Sequence, residues 1–166
     1  MLTASKKRQR EDDAVSNTIV SPLLNLSIGA KRLKKALPPS EEIIEENSYG
    51  REQYTLIGGV RQGIYESYFP NGQLRERAMY VDGHEEGTIQ LWFANGRPFR
   101  LYTVRDGLKE GTELQWYNSG MLAAFMNFKN GLEEGRATYY YSCGSVQCEI
   151  LFKGGEVQRL QHFELA

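Results

Sequence analysis

The sequence predicts an all-β protein: a single-sheet β-hairpin solenoid of about four and a half repeated units, behind an N-terminal tail of different character. Three observations carry that expectation. Glycines recur every 24 residues at Gly63, Gly87, Gly111 and Gly135; an aromatic pair fills the fifth and sixth places after each of them; and no aromatic residue precedes Tyr49. A repeat of this length is read before local signals, because it sets the architecture into which every element must fit.

The tail comes first, as residues 1–49. The whole chain of 166 residues is 40% hydrophobic and 25% charged with a formal net charge of −1, which fits a globular protein and excludes a collagen-like or mucin-like one. That near-neutral sum hides opposite halves. Residues 1–36 hold eight Lys/Arg against three Asp/Glu, whereas residues 37–50 hold four Glu and no base. With no aromatic side chain to bury among its first 48 residues, the tail is expected to stay largely disordered unless a partner orders it. Its basic clusters are Lys7-Arg8-Gln9-Arg10 and Lys31-Arg32-Leu33-Lys34, each a short import-like pattern. Between them, Ser21-Pro22 suits a helix start, and Leu23, Leu26, Ala30, Leu33 and Leu37 follow at 3,4,3,4 spacing until Pro38-Pro39. A helix over 22–37 is therefore predicted, weakened at Gly29 by roughly 1 kcal/mol relative to Ala. The residues that would anchor the tail are Lys7, Arg8, Arg10, Leu23, Leu26, Lys31, Arg32, Leu33 and Lys34. A protein groove, an anionic membrane, nucleic-acid phosphate or the chain's own repeat array could receive them.

The repeat region is expected over residues 50–159. Within each unit a second glycine falls nine places after the first, at Gly72, Gly96, Gly120 and Gly144, and a third at twenty, at Gly83, Gly107, Gly131 and Gly155. Asn71-Gly72 and Asn95-Gly96 read as two-residue hairpin turns with both residues at positive φ, and Ser119-Gly120 and Cys143-Gly144 as weaker versions. The following strand alternates, so Leu122, Ala124, Met126 and Phe128 share one face, as do Val146, Cys148, Ile150 and Phe152. Glu76 and Arg100 stand in the same column as Ala124 and Cys148, which predicts either a wetter core in the first two units or side chains that reach its edge. Pro98 lacks a ladder donor, so its strand should start there or be irregular. Residues 160–166, with His162, should cap the last hairpin.

These residues together resemble the MORN repeat: a glycine, an aromatic pair, Asn-Gly, an alternating strand and a closing glycine. The wording Tyr-Phe-Pro-Asn-Gly-Gln-Leu-Arg-Glu-Arg is similar to the 24-residue MORN variant of antitoxin-like bacterial proteins and of large DNA viruses. Pro98 for Leu, Val104 for an aromatic, Ser119 and Cys143 for Asn, and Arg159 for the next glycine depart from it. The resemblance covers residues 54–157 and implies a non-enzymatic solenoid used for protein contact, sometimes for lipid contact or dimerisation.

Chemistry-bearing patterns are few. Two cysteines (Cys143, Cys148) and two histidines (His84, His162) do not make the four ligands of a structural zinc site, and neither a nucleophile motif nor a P-loop occurs. No metal, cofactor or catalytic residue is expected. The candidate partner-binding residues are the aromatic pairs Tyr68-Phe69, Trp92-Phe93, Trp116-Tyr117 and Tyr140-Tyr141, one member of each pair forming core and the other facing outward. Glu85-Glu86, Glu110 and Glu133-Glu134 should form one acidic line along an edge. The functional expectation is a protein-interaction scaffold, such as a minor structural protein of a large DNA virus particle. Alternatives are nucleic-acid or anionic-membrane binding through the tail, or an antitoxin-like inhibitor. Its partners would be other proteins of a larger assembly or a second copy of the chain. With no run of 18 apolar residues and no apolar block behind the basic start, it is expected to be neither transmembrane nor secreted, and so intracellular or within a virion.

Overall fold

The structure is a computed structural model and describes residues 38–164; the basic clusters and the predicted 22–37 helix lie outside the described residues. Thirteen strands form one antiparallel sheet: β1 (Ser40–Asn47), β2 (Gly50–Ile57), β3 (Val60–Tyr68), β4 (Leu74–Val81), β5 (His84–Trp92), β6 (Pro98–Arg105), β7 (Leu108–Lys109), β8 (Gly111–Trp116), β9 (Leu122–Lys129), β10 (Leu132–Glu133), β11 (Gly135–Tyr140), β12 (Val146–Lys153) and β13 (Glu156–His162). Neighbours in sequence are neighbours in the sheet, with the short β7 and β10 paired to the strands before them. At about 4.8 Å per strand the path is about 50 Å long. As expected, β6 begins at Pro98.

The turns differ from the sequence expectation in a definite way. The two-residue turns are at the third glycines: Val81 pairs with His84 across Asp82-Gly83. Both turn residues have positive φ, 49° and 83°, and the same holds at Asp106-Gly107 and Asn130-Gly131. Two consecutive left-handed residues match the twist of the flanking strands. Asn71-Gly72 instead lies in a wider loop, in which the Phe69 N–H donates to the Gln73 carbonyl (2.8 Å) and the Gly72 N–H to the Phe69 carbonyl (2.9 Å). Only the glycine is left-handed there. Pro70 holds the first turn position, and the Asn71 side chain accepts from the Gln73 N–H, so the asparagine serves through its amide rather than through its backbone.

Each such loop puts a bulge beside the aromatic pair, as at Ser67/Tyr68, Leu91/Trp92, Gln115/Trp116 and Tyr139/Tyr140. Irregularities near the other end of the strands occur at Gln53/Thr55, Arg77/Met79 and Leu151/Phe152. Bulges increase right-handed twist, so the sheet coils. A coiled single layer can shelter one of its own faces. On that face the central cross-strand pairs are Tyr65–Ala78, Ile89–Tyr102, Glu113–Met126 and Ala137–Ile150. Tyr65, Ala78, Ile89 and Val104 make one buried cluster, and Ala124, Met126 and Ala137 a second.

The sheet also extends beyond the composition boundary at residue 49. β1 and β2 form a hairpin in register from Ser40↔Ile57 to Asn47↔Gly50, and Ile43 is buried. Aromatic content does not mark this hairpin because backbone hydrogen bonds and one isoleucine recruit it. At the other end, β13 runs through residue 162, so the expected cap segment begins inside a strand.

Gly50 is the tightest position. A Cβ there would lie 1.9 Å from the Tyr68 carbonyl oxygen. Gly50→Ala is therefore expected to detach β1 and β2, read by hydrogen exchange as lost amide protection over 40–57 with β5 onward unaffected. Gly111→Ala meets nothing within 4 Å, and its φ of +77° alone should cost about 1 kcal/mol in denaturant unfolding. Similar small effects at both positions would contradict this geometry.

Candidate interaction surface

The aromatic pairs straddle the sheet at its loop edge. Strand alternation places Tyr68, Trp92, Trp116 and Tyr140 on the face opposite the core, 24 residues and two strands apart, where each is half-buried. The second members, Phe69, Phe93, Tyr117 and Tyr141, are also half-buried. Two of them tie units together, the Tyr117 hydroxyl donating to the Tyr140 carbonyl (2.6 Å) and the Tyr141 hydroxyl to the Phe163 carbonyl (3.4 Å), while Phe93 packs within its own hairpin, 5.0 Å from Phe99. No member is fully buried, so the division into a core ladder and an exposed ladder becomes a division between an inter-unit ladder and an opposite-face ladder. Within the latter, Tyr68 donates to Glu66 and carries Arg51 over its ring at 4.3 Å.

The acidic line is divided as well. Glu85 pairs with Tyr80 on the core face, and its carboxylate accepts from the Tyr80 hydroxyl. Glu86, Glu110 and Glu134 serve differently. Each accepts the backbone N–H of the turn 20 residues later, at Asp106, Asn130 and Gly154, and Gln62 does the same for Asp82. The turn glycines Gly83, Gly131 and Gly155 donate to the carbonyls of Arg61, Lys109 and Glu133, each at 2.9 Å. Every tight turn is thus docked on the unit before it. The recurring acids are there as acceptors. At the other edge, the Asn71 and Asn95 amides reach forward to the Ala94 and Asn118 carbonyls.

A family model described as a MORN repeat variant matches residues 61–82, which is the β3–β4 hairpin with the first residue of its tight turn. The geometry just described recurs from that hairpin at 24-residue steps. That hairpin is a MORN repeat, and the array continues its period. No curated protein matches it in sequence. MORN repeats are generally protein- or membrane-interaction motifs. Among the described residues no helix is long and apolar enough to cross a membrane, and no group of three or more metal-type side chains is gathered. His84 is an exposed residue at the start of β5, and Cys143 and Cys148 are free thiols.

One feature of the MORN array was hidden from the sequence reading. Glu113 occupies the repeat position of Tyr65, Ile89 and Ala137, and it is wholly buried between the two apolar clusters. It accepts from Arg100 Nε (2.5 Å), Lys109 Nζ (2.6 Å) and Gln115 Nε2 (2.7 Å). Lys109 also lies over the rings of Tyr102 and Phe128. Burial by itself would push the Glu113 carboxyl up, but the hydrogen bonds from Arg100, Lys109 and Gln115 outweigh it and hold it below the ordinary glutamate range. Glu76 in the neighbouring row behaves oppositely: burial, then the nearby Glu85 charge, raises it. On the far face Glu66 is held low, first by Tyr68 and then, against burial, by Arg77 and Gln53. The buried cluster of the first two units is apolar, and Arg100 reaches from its margin to Glu113 of the third unit. Aligning the units residue by residue would have exposed Glu113 as the odd member of its column.

The signs lead to distinct outcomes. A carboxyl whose folded pKa is depressed contributes stability above the ordinary carboxylate range, and that contribution is lost as pH falls through the folded value. Glu113→Ala should cost about 3 kcal/mol at neutral pH by leaving Arg100 and Lys109 without their acceptor, and should lessen the acid-dependent loss of stability. Glu76→Gln should instead stabilise at neutral pH, because the native fold disfavours the Glu76 charge. Denaturant titrations of the two variants between acid and neutral pH check both signs.

Proposed function

We propose that the protein is a non-enzymatic interaction scaffold whose partner lies across the opposite-face aromatic ladder, Tyr68, Trp92, Trp116 and Tyr140. The observation that carries this reading is the ladder itself: four half-buried aromatic rings repeated at one position of each unit, on the face that the core does not use. Rings of this kind anchor protein interfaces because they bury much area at small conformational cost. Their inter-unit counterparts, Tyr117 and Tyr141, already have hydroxyl partners within the array and are assigned to holding it together.

The scaffold would be a small structural component of a larger assembly, such as a virus particle, with the basic residues Lys7, Arg8, Arg10, Lys31, Arg32 and Lys34 and the apolar Leu23, Leu26 and Leu33 as its second attachment. The general use of MORN repeats in protein and membrane contact supports the interaction role. Nucleic-acid binding through the same basic residues would show as retention on a phosphate-bearing column with a steep salt slope.

Trp92 and Trp116 are the chain's two tryptophans, so the ladder carries its own reporter. Titrating the chain with neighbours isolated by cross-linking in its native source should shift tryptophan emission. Trp92→Ala with Trp116→Ala, which lacks the reporter and is therefore titrated by calorimetry, should weaken that complex at least tenfold while leaving the circular dichroism of the sheet unchanged. An unaltered affinity would remove the ladder from the interface.

A further inference from the structure

We propose that residues 22–37 of this chain dock in cis on the face opposite the core, over the first two hairpins. This proposal does not rest on the partner reading of the aromatic ladder. On that face Ile44, Ile64 and Met79 are exposed by 37%, 56% and 42%, and Ile64 and Met79 are direct cross-strand partners. Ile44 points away from its neighbour Ile43, which is buried against the core. A shallow depression lined by Glu42, Gln53, Thr55, Ile64 and Glu66 lies between β1 and β3. Glu42 and Glu46 flank Ile44 on the same side of β1, and Glu86 pairs with Met79. The patch is apolar at its centre, with Glu42 and Glu46 at one side, Glu86 engaged with the Asp106 N–H at the other, and Glu66 ion-paired to Arg77.

The segment has the complementary character. Leu23, Leu26, Ala30, Leu33 and Leu37 form its apolar stripe, while Lys31, Arg32, Lys34 and Lys35 supply four positive charges with no acid among residues 22–37. Residues 37–50, which include β1, supply four negative charges and no base. The tether is short: Leu37 is followed only by Pro38 and Pro39 before β1 begins at Ser40. A linker this brief gives an effective concentration on the order of millimolar, which makes even a weak contact substantially populated. As a helix the segment would be about 24 Å long, enough to cross the strand spacings from β1 to β4 that separate Ile44 from Met79. The core face offers no equivalent seat, since Arg61 already lies over Tyr54, Tyr65 and Tyr80 there.

Limited trypsin digestion of the full chain tests this, because the segment carries four cleavage sites and Lys6, Lys7, Arg8 and Arg10 form an internal control. At low salt, cleavage after Lys31–Lys35 should be at least tenfold slower than in two double variants: Ile64→Asp with Met79→Asp on the sheet, and Leu26→Asp with Leu33→Asp in the segment. The second pair lies outside the sheet, so its effect cannot come from sheet unfolding. Circular dichroism checks the fold of the first pair, and cleavage after Lys6–Arg10 should be the same in all three proteins. Added salt at 0.5 M should narrow the difference, and a hundredfold dilution should leave it unchanged. Equal cleavage rates in wild type and both variants would overturn the proposal. So would protection that rises with protein concentration, which indicates a second copy, or protection that appears only with anionic vesicles.

Discussion

A sheet one layer thick has to shelter its own face, and the rest of this structure follows from that constraint. A two-stranded hairpin alone cannot bury enough apolar surface to hold in water. Here the remedy is local and repeated. The loop bulges beside the aromatic pairs and the irregularities at the opposite strand ends increase the twist, and the coiled sheet brings Tyr65, Ile89, Val104, Met126 and Ala137 out of contact with solvent. The tight turns are bound to the preceding unit through Gln62, Glu86, Glu110 and Glu134, so each hairpin is held by a neighbour at its turn as well as along its strands.

The same constraint explains why the core is not purely apolar. A thin core has solvent close to its margins, and long cationic side chains at the margin can reach inward while keeping their stems on aromatic rings. Lys109 and Arg100 do this at Glu113, and Arg61 does it over three tyrosines. Among the described residues no buried side-chain polar atom lacks a partner. Glu113 thus interrupts the apolar column without leaving an uncompensated charge, and it divides the core into two clusters. The arrangement is costly to disturb on one side only, because removing a single partner leaves the others buried without their acceptor.

Much of this architecture was legible in the sequence, since a 24-residue period of Gly63, the aromatic pair and the alternating strand admits one simple stacking. What was misread has physical causes. Asn-Gly favours a primed two-residue turn in isolation, but at Asn71-Gly72 and again at Asn95-Gly96 the N–H of the second aromatic closes a wider loop and only the glycine is left-handed, while Asp82-Gly83 and Asn130-Gly131 form the tight turn. β1 was invisible because pairing, not composition, recruits Ser40–Asn47. The acidic residues looked like one solvated line because a linear string does not show that Glu85 and Glu86 point to opposite faces. For the candidate surface, the sequence named the aromatic pairs, and alternation together with the Tyr117 and Tyr141 hydroxyl bonds divides their roles.

The central claim is that stability is shared among units that are interchangeable in register. Removing one whole period, Gly63 to Glu86, joins Gln62 to Gly87, lets Gln62 take the place of Glu86 as acceptor for the turn at Asp106, and leaves Glu113 with Arg100 and Lys109 in place. Equilibrium urea unfolding of that deletion measured against the full chain is the most direct test. The expected result is a folded β protein with a cooperative transition and a denaturant slope smaller by about a fifth, in proportion to the surface removed. Loss of the fold, or an unchanged slope, would contradict a stack of equivalent hairpins.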